Sequence, residues 1–435
     1  MSRLPSLAVF LGAFFALSSG PARAATVTDV PDALEPDNPI DVRTELKFDL
    51  ARRTALITRE NTQVPADDPT GAPRTVDVKE LEYDRLKFRL RPRLEVGFFK
   101  DASFFVEWPI VLWDQQTTRF ATGTNTDNST LARDMAPGPS PTVDGWPETE
   151  GTGNTRQEIV DGKYGFPGKR YNDWRVGNNG AFKGYRQGLD NPTFGLRFSP
   201  INNERDDTLP TVTVQTDYTA PFFGFMDPTN DSIDDPTQPG GVSDGLHKFH
   251  FSVAMSKRFS VLDPYFVADY TLPLPGTADT DLPGHQPRQS GGFTMGLEIV
   301  PYEETQMQQR FAVRVATSAR YFSEGRDYSE VSDVFKEMTY TDQWVRIGGE
   351  LGLSFKAFNL VHFDLSGFGG YDTEHYLTIE DFGKDLPDDP NAQIDLDNAA
   401  ERNPFFNPAL DTVGRRLRIE QSTEIGVLVH LGLNF

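Results

Sequence analysis

The chain of 435 residues carries 64 acidic against 42 basic side chains, a net charge of −22, and no cysteine. Such acidity excludes nucleic acid as a partner and disfavours anionic surfaces. The absence of thiols excludes disulfides, thiolate metal sites and cysteine nucleophiles.

In chain order, Arg3, an apolar stretch over residues 4–17 and the small-x-small triplet Ala22-Arg23-Ala24 predict a secretory leader over residues 1–24. That apolar stretch is shorter than the roughly 20 residues of a membrane-spanning helix. Loss of Arg3 and Arg23 with the leader would take the net charge from −22 to −24. Residues 25–41 are expected as a short periplasmic segment. Residues 42–435 are expected as one antiparallel transmembrane β-barrel, an all-β fold, because alternation at period two recurs through them. It is plainest where Leu86, Phe88, Leu90, Leu94, Val96 and Phe98 interleave with Lys87, Arg89, Arg91, Arg93 and Glu95. Pro92 breaks the apolar phase there, and a bulge is the expectation.

The same pattern gives about twelve strands: residues 42–57, 81–98, 102–113, 191–200, 210–221, 247–259, 262–273, 290–301, 306–322, 340–356, 360–378 and 413–435. Connections after even strands are short, including 99–101, 302–304 and 357–359. Those after odd strands are long and rich in Gly, Pro, Asp and Asn, the longest being 114–190. Short periplasmic turns and long extracellular loops are the arrangement of bacterial outer-membrane barrels. The last strand alternates Ile425, Val427, Val429, Leu431, Leu433 and closes on Phe435. Such an ending resembles the C-terminal signal that barrel-assembly machinery reads, so Phe435 is the expected assembly signal. Outer-membrane lipid is the expected surround.

Assigning alternate positions to the lumen places there Arg43, Glu45, Lys47, Asp49, Lys87, Arg89, Arg91, Arg93, Glu95, Glu107, Asp217, Asp269, Glu298, Arg310, Arg314, Arg346, Glu350, Asp364, Arg416, Arg418 and Glu420. Two readings follow. In one, these charges pair across strands and fill a closed barrel, because isolated buried charge is costly. In the other, the Arg89-Arg91-Arg93 ladder lines a wet pore that draws anions. Trp113, Tyr270, Tyr321, Trp344, Phe99 and Tyr302 near strand ends suit interfacial girdles.

Catalytic motifs are weak. Gly241-Val242-Ser243-Asp244-Gly245 spells a nucleophile elbow, but that motif needs a strand before it and a helix after it. A membrane-embedded hydrolase is therefore the weakest reading. His247 and His250, three apart on a strand, fall on opposite faces. No cofactor and no metal ligand set is expected, and the acidic loops read as solvated charge.

Residues 188–198 (Gly-Leu-Asp-Asn-Pro-Thr-Phe-Gly-Leu-Arg-Phe), 211–221 and 256–273 resemble a family of outer-membrane transport barrels named after phenol meta-cleavage degradation pathways. The chain departs from it at Phe99-Lys100-Asp101, where that family often has a Gly-Leu turn. The resemblance implies an outer-membrane channel and leaves its solute open. The charged interior and the wide spread of loop lengths predict passive uptake or exchange of small solutes, anionic or aromatic. A closed structural or surface-interaction barrel is the alternative.

Overall fold

The structure, a computed structural model, describes residues 25–31, 33, 40–63, 74–131, 174–176, 180–203, 205–206, 208–276, 284–304, 307–358, 360–386, 394–395 and 397–435. The expected leader and most of the expected 114–190 loop lie outside these residues. The strands are β1 (Val42–Gln63), β2 (Arg74–Phe99), β3 (Ala102–Glu107), β4 (Ile110–Phe120), β5 (Ala181–Leu189), β6 (Thr193–Ile201), β7 (Thr211–Thr219), β8 (His247–Ser256), β9 (Leu262–Leu274), β10 (Ser290–Glu304), β11 (Gln309–Phe322), β12 (Gly325–Asp327), β13 (Thr339–Thr341), β14 (Trp344–Ala357), β15 (Val361–Asp372), β16 (His375–Tyr376) and β17 (Leu417–Asn434).

Twelve of them form a closed antiparallel ring in the order β1, β2, β3, β6, β7, β8, β9, β10, β11, β14, β15, β17, with β17 returning to β1. Closure leaves no open edge within this ring, which hydrocarbon could not satisfy. The outward positions form a greasy surface: Ile347, Leu351 and Leu353 on β14, and Ile425, Val427 and Leu433 on β17, are all exposed. Exposed apolar area of this extent would aggregate in water and is matched by lipid. Phe99, Tyr302, Phe358 and Phe435 ring one end, and Trp113, Tyr270, Tyr321 and Tyr371 ring the other. Trp344 does not join them. It is buried, stacked between Phe322 and His375 with ring centroids 4.6 and 4.5 Å away.

The short turns at one end each hold a non-glycine residue in the left-handed region: Asp101 (φ 53°), Ser260 (φ 58°), Gln308 (φ 49°) and Phe358 (φ 54°). One such residue lets a short hairpin match the right-handed twist of its strands. The turn expected at 302–304 lies further on, because β10 runs to Glu304. Pro92 produces no bulge against β1, whose register passes evenly from Val42↔Val96 to Leu56↔Glu82. Its carbonyl accepts from Trp108 N (2.9 Å), so its ring nitrogen faces the point where β3 gives way to β4 and no donor is needed.

Two further expectations need correction. First, residues 114–190 are not loop throughout, since β4 continues to Phe120 and β5 begins at Ala181. Buried Asp114, Gln116 and Thr118 alternate there with Gln115, Thr117 and Arg119, so both faces are polar and hydropathy shows no period. The hairpin of β1 and β2 rises above its expected limits for the same reason. Second, the strand phase does not hold to the top of the barrel. The β1–β17 register slips between Thr54 and Leu56, opposite Gln421 at φ 50°. One extra residue turns every side chain beyond it to the other face.

Above that bulge Leu417 and Ile419, both 0 % exposed, point inward. They join Ile57, Leu81, Tyr83, Leu131, Trp174, Phe182, Ile233, Val334, Phe335, Leu377 and Leu410 in one apolar cluster. This cluster packs a lid of extracellular segments, among them a four-residue helix Ser332–Phe335, against the upper wall. Buried Arg59 fastens the lid by donating to the carbonyls of Arg415 (2.9 Å) and Ala409 (2.7 Å) and to Thr130 Oγ1 (3.1 Å). Among the described residues no helix is long and apolar enough to cross a membrane.

Candidate functional site

The lumen is organised in three tiers. At the end bearing the short turns, a 3-10 turn at Thr26–Thr28 sits inside the barrel. Ala25 N donates to Ser256 Oγ (3.3 Å), Thr26 N to Glu298 Oε1 (3.2 Å), and Thr213 Oγ1 to Thr28 O (2.9 Å). Arg197 donates to Val27 O (3.1 Å), and Arg43 reaches Asp29 at 3.2 Å. Ala25 is fully buried against Tyr265 and Ala316. Residues 25–29, expected only as a periplasmic segment, thus occupy the lower lumen.

The middle tier is a lattice of ion pairs. Asp49 receives Arg89 (2.8 Å) and Arg91 (3.0 Å), and Glu107 receives Lys47 and Arg91, both at 3.5 Å. Arg93 pairs with Glu95 (2.7 Å) and lies 3.7 Å over the Phe105 ring, while Glu45 takes Lys47 at 3.2 Å. Lys87 faces Asp114 at 3.7 Å, Arg310 meets Glu298 at 2.9 Å, and Arg314 meets Glu350 at 2.8 Å. Asp217 holds His250 (2.9 Å) and Asp269 holds Arg320 (2.7 Å). The arginine ladder is therefore matched by carboxylates, because the β1–β2 register sets Glu45 beside Arg93 and Asp49 beside Arg89, while Glu107 of β3 takes Arg91. A cavity of about 270 Å³ opens at this height, lined by Ser318, Arg346, Glu350, Phe368, Glu424 and the bare backbone of Gly348 and Gly370.

At the upper tier Arg346 joins Asp372 (2.6 Å) and Glu424 (2.8 Å), and Arg53 joins the same Asp372 at 2.8 Å and Glu330 of the lid. Arg416, Arg418 and Glu420, assigned to the lumen from alternation, lie outside it. Arg416 pairs with Glu60 (2.8 Å) beneath the Tyr376 ring, and Arg418 reaches Asp77 (2.9 Å) as well as Glu420 (2.5 Å) on the outer side. The bulge at Gln421 is the cause.

A further cluster is assembled from two neighbouring strands. His362 and Asp364 share a face of β15, and the register sets His430 of β17 beside Asp364. His430 Nδ1 lies 2.9 Å and His362 Nε2 3.1 Å from Asp364 Oδ2, a grouping able to hold a metal ion. The His362-x-Asp364 spacing together with inward His430 was the available signal. Ser243 of the elbow-like motif is buried in a loop, its Oγ accepting from Gly245 N at 3.0 Å, with neither a strand before it nor a helix after it.

Within the lid, burial pushes the Asp411 carboxyl well above the usual range, and the nearby Glu337 and Glu380 carboxylates act in the same direction, against the backbone N–H groups of Asn407 and Glu380. A folded-state pKa above the unfolded one of about 3.9 means that stability is fully present below that lower value. It is lost as pH rises through the folded value. Protease cutting of the lid is thus expected to be faster at pH 8 than at pH 5. Asp411→Asn should flatten that dependence and lower protection at both pH values, since its amide nitrogen cannot accept from Asn407 N. Equal pH sensitivity in the variant would assign the effect elsewhere.

A closed antiparallel barrel with a lipid-matched exterior and a polar, ion-paired lumen defines a bacterial outer-membrane β-barrel. No protein-family model and no curated relative matches the chain. Among solved structures it is similar to an outer-membrane channel of Pseudomonas putida F1, at 8 % identity and a TM-score of 0.37, covering 90 % of this chain and 95 % of that one. It is also similar to the Pseudomonas putida toluene transporter (9 %, TM-score 0.32, 95 % and 92 % covered). A third is the outer-membrane protease of Escherichia coli (6 %, TM-score 0.28, 91 % and 97 % covered). Channels and a protease appear together at these values, which assign neither family nor solute.

Proposed function

We propose that the protein is an outer-membrane channel for passive entry of small solutes, held closed here by the segment below and the lid above. The observation that carries this reading is the mid-lumen cavity. Its volume exceeds the roughly 150 Å³ that accommodates benzene in an engineered protein cavity. Phe368 offers it an apolar face, which suits small aromatic solutes, while the lining cation Arg346 is held by Asp372 and Glu424. The resemblance of residues 188–198, 211–221 and 256–273 to outer-membrane transport barrels supports a channel and leaves the solute open. Liposomes carrying the purified barrel should swell in isosmotic solutions of a neutral one-ring aromatic solute faster than in those of a disaccharide. No swelling in either would favour the second reading, a closed structural barrel, which the dense ion pairing supports.

We also infer that assembly machinery reads the terminal ring. Phe435 exchanges backbone hydrogen bonds with Val42 (2.9 and 2.8 Å) while its side chain is 66 % exposed. Phe435→Ala keeps both bonds, so it should refold normally in detergent yet leave less folded barrel in the outer membrane of cells. Equal yields in cells would reject recognition of the ring.

A further inference from the structure

We propose that His362, Asp364 and His430 form a binding site for a divalent transition-metal ion such as zinc, at the periplasmic end of the lumen. The ligand atoms lie within 4.8 Å of one another, and the two nitrogens converge on one carboxylate oxygen at 2.9 and 3.1 Å. Donors bound to one ion at about 2.0–2.2 Å stand roughly 3 Å apart, so the two nitrogen–oxygen distances match two edges of a coordination shell. The rings are set at 76° with centroids 5.1 Å apart, so that both can present a nitrogen without stacking.

Hydrogen bonding alone leaves the cluster incomplete. Asp364 is 4 % exposed, yet its Oδ1 has no hydrogen-bond partner, and neither does His430 Nε2. Glu45 Oε2 stands 3.6 Å from that Nε2. A carboxylate behind the far nitrogen of a histidine fixes the tautomer that turns the near nitrogen's lone pair toward a metal. Ser354 Oγ, 3.3 Å from His362 Nε2, borders the site from β14. The cations around it are engaged elsewhere: Lys47 with Glu45 and Glu107, Arg314 with Glu350, and Lys356 with Asp29 at 3.8 Å. Two imidazoles and one carboxylate suit zinc, nickel or copper, whereas calcium and magnesium prefer all-oxygen shells.

The test is a zinc titration by calorimetry of full-length barrel, refolded with chelator and then freed of it. One ion per chain should bind, and the cobalt(II) form should show visible bands of nitrogen ligation. His362→Gln and His430→Gln should each weaken binding on the order of 100-fold, while His250→Gln leaves it unchanged. Absence of stoichiometric binding, binding indifferent to both changes, or a preference for calcium would overturn the site. Should the variants not fold, zinc must still protect His362 and His430 of the wild type from diethylpyrocarbonate. Modification at an unaltered rate would overturn it equally.

Discussion

Arg53→Met is expected to loosen the lid and destabilise the barrel by about 3–5 kcal/mol, the usual cost of removing one member of a buried ion pair. Arg53 spans two parts of the molecule. Its guanidinium meets Asp372 (2.8 Å) and Ser422 Oγ (3.2 Å) in the wall, and Glu330 in the lid. Asp372 retains Arg346 when Arg53 is lost, but Glu330 keeps no cation within ion-pair distance among the described residues and is only 8 % exposed. The penalty therefore falls on the lid. A lower urea midpoint in detergent and earlier proteolysis of the segment around residue 330 would be the readouts. Adding Glu330→Gln should restore much of the loss, because the stranded charge disappears. If the double variant is as weak as the single one, the lost interaction is with the wall instead.

A chain refolded from Val30, beside one refolded from Ala25, should conduct severalfold more current in planar bilayers. Residues 25–29 fill the lumen between Ser256, Thr213, Arg197 and Glu298, and these anchors come from four different strands. Their loss empties the lower lumen while leaving the strand-to-strand ladders of the wall intact. It also removes Asp29 from Arg43 and Lys356. The mouth then gains net positive charge, and selectivity should shift toward anions. Identical conductance and selectivity in the two chains would place the barrier in the lid.

The ring of strands was legible because each stave below the bulge must be greasy on one side and polar on the other, a constraint written at every second residue. Arg89, Arg91 and Arg93 could be assigned to the interior for that reason. Their partners could not be assigned singly, since pairing depends on strand register, which alternation alone does not set. Arg416, Arg418 and Glu420 were misplaced because Gln421 in the left-handed region has no sequence signature. The lid escaped notice because Leu131, Ile233, Leu410 and the short run Val331 to Phe335 are scattered over remote loops. Residues 25–29 gave no periodic signal at all.

The bulge lies at the junction of the first and last strands, the pairing that shuts the ring. A chain closing one residue out of step would send Leu417 and Ile419 into solvent and press Arg418 and Glu420 against the lid's oily packing, while further down the same strand would show charge to hydrocarbon. A uniform stave could slide by two positions at small penalty, but a kinked one has a single seating. The seam thus acts as a keyed lock that proofreads its own fastening.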